Sequence, residues 1–316
     1  MVLITATLTG CGVVKDTEVP SGAFPGEYYQ VTDDKGNVLE FNKKPTRIYA
    51  TTLSIEEILV DLVPLNRIVA ISEPAADTKI SLIADKAAHI SVKLPQKAST
   101  EKILSLKPDL VIVQENSNAA FIQSLKDVGL KVYITKVPTT VKMVRSRIIN
   151  LAAAVGEKQQ GGKIINELDN KTETVKKVIG QIPKSEKKNL MAYSLLGVFG
   201  SAEGLFHDIC ISAGVTNGVA LAGLVRGEHL SKEKIVEVDP DILMFSDYSS
   251  TQEGDSELFR KEVLDDPALQ SIKAIKNKNI IIIKDRYRYA ASQYIGDAIC
   301  DIAQKTYPEY FDQINN

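Results

Sequence analysis

Ser99-Thr100-Glu101-Lys102-Ile103-Leu104-Ser105-Leu106-Lys107-Pro108-Asp109-Leu110 returns later in the chain as Ser231-Lys232-Glu233-Lys234-Ile235-Val236-Glu237-Val238-Asp239-Pro240-Asp241-Ile242. The offset is 132 residues (233 − 101 and 240 − 108), and Ser, Glu, Lys, Ile, Pro and Asp are identical between the copies. Each copy reads as a Ser-capped helix, a Pro-Asp turn and a buried strand. Two copies on either side of a long helical stretch predict two lobes related by rough symmetry.

Around the first copy, strands and helices alternate. Tyr28–Thr32 and Asn37–Phe41 flank Asp33-Asp34-Lys35-Gly36 and read as a β-hairpin. Arg47–Leu53 reads as a strand followed by a helix over Ile55–Leu62, and Arg67–Ser72 as a second strand. Pro108–Gln114 is an apolar, branched run suited to a buried parallel strand. A helix over Ala119–Val128 stops at Gly129, and Leu130–Thr135 is the next strand. From Thr140 to Ile182 the pattern is helical, with Ile164, Ile165, Leu168, Thr172, Val175, Val178, Ile179 and Ile182 on one face. Gly161 and Gly162 are expected to weaken its start. Strand and helix patterns then resume, with strands at Asn189–Leu195, Pro240–Ser246 and Asn279–Asp285 and helices at Glu203–Ala213 and Gln293–Thr306.

The expected fold is therefore α/β. Two Rossmann-like lobes with mostly parallel sheets are joined by one long α-helix, and a ligand cleft lies between them. The boundaries are residues 28–139 for the N-terminal lobe, 140–183 for the bridge and 184–316 for the C-terminal lobe. Residues 1–27 form a signal remnant and a tether.

Composition narrows the function. The 316 residues are 44% hydrophobic and 25% charged, with a formal charge of −2, so neither sign dominates enough to recruit nucleic acid. Leu8-Thr9-Gly10-Cys11 ends an apolar start and matches a bacterial lipobox, which marks Cys11 for lipidation. Gly12–Gly22 suits a flexible tether, and no later apolar run approaches the roughly 20 residues of a spanning helix. Cys210 and Cys300 fall in helical patterns. Export permits a disulfide between them, but no spacing fixes their distance, and two buried free thiols are the simpler expectation.

Lys44-Pro45-Thr46-Arg47-Ile48, Lys107-Pro108-Asp109-Leu110-Val111, Gly214-Val215-Thr216-Asn217 and Pro267-Ala268-Leu269 add to the repeat. In this order and spacing the chain resembles the helical-backbone (class III) substrate-binding proteins of ABC importers, which carry siderophores, haem or cobalamin. The resemblance implies a non-catalytic, monomeric receptor held outside the cytoplasm by a lipid anchor. It also implies that Glu101 and Glu233 dock, one per lobe, against arginines of a two-subunit permease. A plain first-turn carboxylate favoured by the helix dipole is the alternative for each of them.

The cargo site is expected between the lobes, in loops at strand ends. The richest is Arg286-Tyr287-Arg288-Tyr289, where two guanidiniums alternate with two phenols. Arg226, His229 and Tyr248 lie in neighbouring loops. Guanidiniums pair with carboxylates and stack on aromatic walls, which suits an anionic chelate or the propionates of haem. His89, His207 and His229 are too scattered for a bare-metal site, so no metal ligand or cofactor is assigned, and His207 reads as structural. The expected cargo is an iron chelate (siderophore or haem), with a corrinoid as the alternative. A Rossmann-like enzyme is the rival of another class. It lacks support because Gly-x-Ser-x-Gly, the Walker loop and the strand-led dinucleotide fingerprint are all absent.

Overall fold

The computed structural model describes residues 28–193, 200–225, 228, 230–248, 255–288 and 290–312. The hairpin forms as expected from β1 (Tyr29–Thr32) and β2 (Val38–Phe41), paired antiparallel with Tyr29 opposite Phe41. Asp33 shapes its turn by accepting from the Lys35 and Asn37 backbone nitrogens, both at 2.9 Å.

The N-terminal lobe is built on a parallel sheet of β3 (Ile48–Ala50), β6 (Leu110–Gln114) and β7 (Val132–Thr135), side by side in that order. A single parallel bridge from Ile68 to Ile48 extends it on the β3 side. A small parallel pair, β4 (Ile71–Ser72) and β5 (Lys93–Leu94), lies beyond. Arg67–Ser72 is thus not one strand. Leu65–Arg67 is a 3-10 turn whose Arg67 guanidinium bonds Pro45 O and Val155 O at 2.7 Å, which leaves only Ile71 and Ser72 in a ladder.

The C-terminal lobe repeats the plan with β8 (Asn189–Ala192), β9 (Thr216–Asn217), β10 (Ile242–Ser246) and β11 (Ile280–Ile283), in the order β9-β8-β10-β11. All its pairings are parallel. The central strands β6 and β10 are buried on both faces, which is why each reads as an unbroken apolar run. Leu110 and Ile112 of β6, with Ile242 and Met244 of β10, face one core cluster shared by the two lobes. Val111 and Val113 face a cluster confined to the N-terminal lobe, and Leu243 and Phe245 face its counterpart in the C-terminal lobe.

Residues 140–183 are helical but not one helix. Val141–Ala154, the floor helix, is followed by Gly156 at φ 75°, a left-handed conformation, and the chain turns back into Lys158–Ile179, the bridge helix. The two pack as a hairpin, with Arg145 Nε 2.8 Å from Asp169 Oδ1. Gly161 sits where they touch. A Cβ there would lie 2.4 Å from the Ala152 Cβ, whereas Gly162 has open space. The expectation that both glycines merely weaken the helix is therefore corrected for Gly161, whose missing side chain permits the contact. The last long helix, Ile295–Thr306, packs on the bridge helix through Gly296 against Leu168 and the Lys171–Asp297 ion pair. Cys210 is buried and Cys300 half-buried, and both are free thiols.

Candidate ligand cleft

Segments that follow strand carboxyl ends bring the lobes together. Glu73–Ser81 follows β4, and its Thr78 and Ser81 carbonyls accept from Arg286 Nη1, beyond β11, at 3.5 and 3.3 Å. Beside them the Lys79 ammonium lies 5.4 Å from the ring centroid of Tyr248, which follows β10. These contacts join the two lobes. A second set of cross-lobe contacts involves the floor helix, the start of the Leu53–Leu62 helix after β3, and residues 290–294.

In this second set the polar network crosses between lobes. Ser292 Oγ donates to Glu57 Oε2 at 2.6 Å, and Gln293 Nε2 bonds Glu57 O at 2.7 Å and Asp61 Oδ2 at 2.6 Å. Tyr294 adds its hydroxyl to Asp61 Oδ2 at 3.2 Å. Arg147 Nη1 joins Ser54 Oγ at 3.2 Å to Ala291 O at 3.3 Å. Glu56, next to Glu57, accepts from the Ser72 nitrogen and hydroxyl, both at 2.6 Å. Burial pushes the carboxyls of Glu56 and Glu57 up to about 7, against the pull of those hydrogen bonds. None of these residues was assigned a site role from sequence. The available signals were three acidic residues, Glu56, Glu57 and Asp61, inside the apolar helix Ile55–Leu62 and an arginine among Val144, Ile148 and Leu151.

Of the residues singled out, Arg226, His229, Tyr289 and Cys11 lie outside the described residues. Arg286-Tyr287-Arg288 is not the loop expected. Asp285–Arg288 is a helical turn, so consecutive side chains point in different directions. Arg286 crosses to the N-terminal lobe. Tyr287 lies in the field of Asp297 and Asp301 on the Ile295–Thr306 helix, and burial raises its phenol. Arg288 turns inward, with Nη2 2.8 Å from Asp285 Oδ1. Tyr248 is half-buried near Lys79, and His207 Nδ1 sits 3.3 Å from Asn217 Nδ2 in the C-terminal lobe. Among the described residues no cluster of three or more His, Cys, Asp or Glu side chains is placed to hold a metal ion. No helix among them is long and apolar enough to cross a membrane.

Glu101 and Glu233 are both exposed, in the first turns of their helices at matching places of the repeat. Ser99 Oγ accepts from the Lys102 nitrogen, and Ser231 Oγ from the Lys234 nitrogen, each at 3.3 Å. Each glutamate's own backbone N–H and the Ser99 or Ser231 hydroxyl hold its carboxyl below the usual range. Both are therefore charged at neutral pH.

The periplasmic binding protein family model matches residues 48–287. The chain is 21% identical over 320 residues to an uncharacterised ABC transporter substrate-binding lipoprotein, YvrC, of Bacillus subtilis, covering 99% of this chain and 97% of that one. It is 21% identical over 291 residues to the Fe(3+)-citrate-binding protein YfmC of Bacillus subtilis, covering 89% and 86%. Among solved structures it is similar to the periplasmic heme-binding protein RhuT of Roseiflexus sp. RS-1, with TM-score 0.70 and 22% identity over 84% of this chain and 98% of that one.

Proposed function

The chain belongs to the periplasmic binding protein family, and from that membership we propose that it is a lipid-anchored receptor delivering an iron chelate, siderophore or haem, to an ABC importer. Family and fold make it a non-catalytic, extracytoplasmic binding protein of import. The narrower reading, an iron chelate, is supported by the ferric citrate and haem binders among its relatives.

The observation that carries delivery is the matched pair Glu101 and Glu233, two ionised and exposed carboxylates at equivalent helix starts, one on each lobe. A permease of two like subunits offers two like cationic sites, and the receptor meets each with one carboxylate. Rim charges of this kind steer encounter and register. Residues 28–139 and 184–316 are the two lobes in this reading, 140–183 is their bridge, and Cys11 at the head of residues 12–27 is the anchor of a monomer. In this reading Arg286, Tyr248 and the Glu73–Ser81 segment border the cargo site.

The decisive experiment titrates purified protein with ferric citrate, haemin and cyanocobalamin. The chain has no Trp, so absorbance and calorimetry are the readouts. Saturable binding of an iron chelate is expected, and binding of the corrinoid alone refutes the iron assignment. Glu101→Ala/Glu233→Ala should leave that affinity unchanged while uptake falls, and normal uptake by the double variant removes the docking roles.

A further inference from the structure

We infer that Arg147 is an anion-recognition residue at the seam between the lobes, where the free edge of its guanidinium takes a carboxylate of the cargo. The inference rests on the reading that the cleft holds an iron chelate, and it adds that the chelate is anionic.

Arg147 projects from the floor helix and is 2% exposed. Its Nη1 is committed to Ser54 Oγ and Ala291 O, one group from each lobe. Its Nε and Nη2 are buried and have no hydrogen-bond partner among the described residues. Those two nitrogens form the side-on edge that grips a carboxylate through two parallel bonds. The same helix shows that edge in use. Two residues earlier, Arg145 places Nε 2.8 Å from Asp169 Oδ1 and Nη2 2.5 Å from Asp169 Oδ2. One fork on this helix holds a protein carboxylate, and the other has none.

A buried cation without a bonded anion is strongly disfavoured. The carboxylates nearest Arg147 are engaged elsewhere. Glu57 Oε2 accepts from Ser292, while Asp34 accepts from Thr135, Lys136 and Asn150. Both attract Arg147 through space, against the burial that draws its pKa down to about 10, so it remains a cation at neutral pH. Two residues along the chain from each of its Nη1 partners stand further polar atoms without partners. Thr52 Oγ1, at the end of β3, and Gln293 Oε1, beside Ser292, are likewise buried and unbonded. Thr52 and Ser54 sit just beyond the carboxyl end of β3, where open parallel sheets bind their ligands. The Nη1 contacts reach one lobe each, so the guanidinium is held at the seam between the lobes with its Nε/Nη2 edge uncommitted.

The test compares wild type, Arg147→Gln and Arg147→Lys by calorimetry with ferric citrate, which carries carboxylates, and with a neutral ferric trihydroxamate, which carries none. Ligand-free thermal midpoints are measured alongside. Arg147→Gln is expected to weaken ferric citrate by about tenfold or more, as for loss of a charge-assisted pair. Arg147→Lys, which keeps the charge but not the fork, should fall between. The trihydroxamate should be held no better by wild type than by either variant. If Arg147→Gln does not fold, the gap between wild type and Arg147→Lys decides. Unchanged affinity for ferric citrate, or an equal loss for both chelates, overturns the inference. Wild type that binds only the neutral chelate also overturns it while leaving the receptor assignment intact. Wild type that binds no iron chelate sinks both.

Discussion

The outer faces of the two lobes are nearly superposable in their chemistry, whereas the faces turned toward each other are not. On the outside the likeness extends below the level of sequence identity. Of the three non-glycine residues with positive φ among the described residues, Lys107 (49°) and Asp239 (46°) occupy the same position in the repeat, 132 residues apart. Each repeat helix also has carbonyls at or just past its end bonded from the start of a strand, β3 or β8. Arg47 reaches Leu106 O and Lys107 O, and Asn189 reaches Val238 O. On the inside, the helix after β3 buries Glu56 and Glu57, while the corresponding helix of the C-terminal lobe, Leu205–Ser212, buries Phe206, Ile209 and Cys210. In the proposed reading a two-fold partner meets the outside twice, which would favour symmetry there, and one asymmetric cargo meets the inside, where nothing would hold the lobes alike.

The largest test of this contrast is pH. Glu56 and Glu57 titrate near 7 when folded, well above the ordinary value of 4.5. Folded-state pKa values above the unfolded ones mean stability fully present below about pH 4.5 and lost as pH rises through 7. The loss is about 3 kcal/mol for each carboxyl, since each tenfold change in proton affinity is worth about 1.4 kcal/mol. Urea denaturation at pH 5 and pH 8 should show the decline. Glu57→Gln, which keeps an acceptor for Ser292, should remove about half of it, and an unaltered slope in that variant breaks the assignment.

A smaller difference separates the two Pro-Asp turns. Asp109 accepts from the Thr46 nitrogen (2.7 Å), the Thr46 hydroxyl (3.1 Å) and the Arg47 nitrogen (2.9 Å). Asp241 accepts from the Asn189 nitrogen at 2.8 Å. Asp109→Ala should cost about 2–3 kcal/mol and Asp241→Ala about 1 kcal/mol, at the ordinary net value of about 1 kcal/mol per hydrogen bond. Chemical denaturation followed by circular dichroism measures both. Equal losses show that the number of bonds at the clamp does not set its worth.

The smallest effect is an expected equality. Ser99→Ala and Ser231→Ala each remove a cap of the same geometry and should each cost about 1 kcal/mol. Thermal shifts that differ between them by more than the error of measurement show that the lobes' outer faces are less alike than their hydrogen bonds.

Sequence reading reached the features held by short-range chemistry. The Ser caps bind three residues ahead, the Asp33 turn closes on Lys35 and Asn37, and β6 and β10 advertise burial through runs of branched residues. It also placed Glu101 and Glu233 on matching exposed turns, because the repeat is local and the cap fixes the helix start. The cleft was legible only as a set of loops. Its richest stretch, Arg286 to Arg288, became a helical turn that sends neighbouring side chains to different elements, and a string of residue types does not record that divergence. Gly161 read as a weakness until Ala152 lay against it.

By itself, then, the sequence determined two α/β lobes, a helical bridge and a matched pair of outward carboxylates, because caps, turns and strand burial depend on residues a few positions apart. Only the tertiary structure decided what the lobes say to each other. Glu57 meets Ser292 across 235 residues and Arg147 meets Ala291 across 144, distances over which composition and periodicity carry no information. Such pairs exist because packing the floor helix against both lobes brings them into one buried, low-dielectric space. There a polar group without a partner is costly, and each side chain is held by whichever group the fold delivers to it.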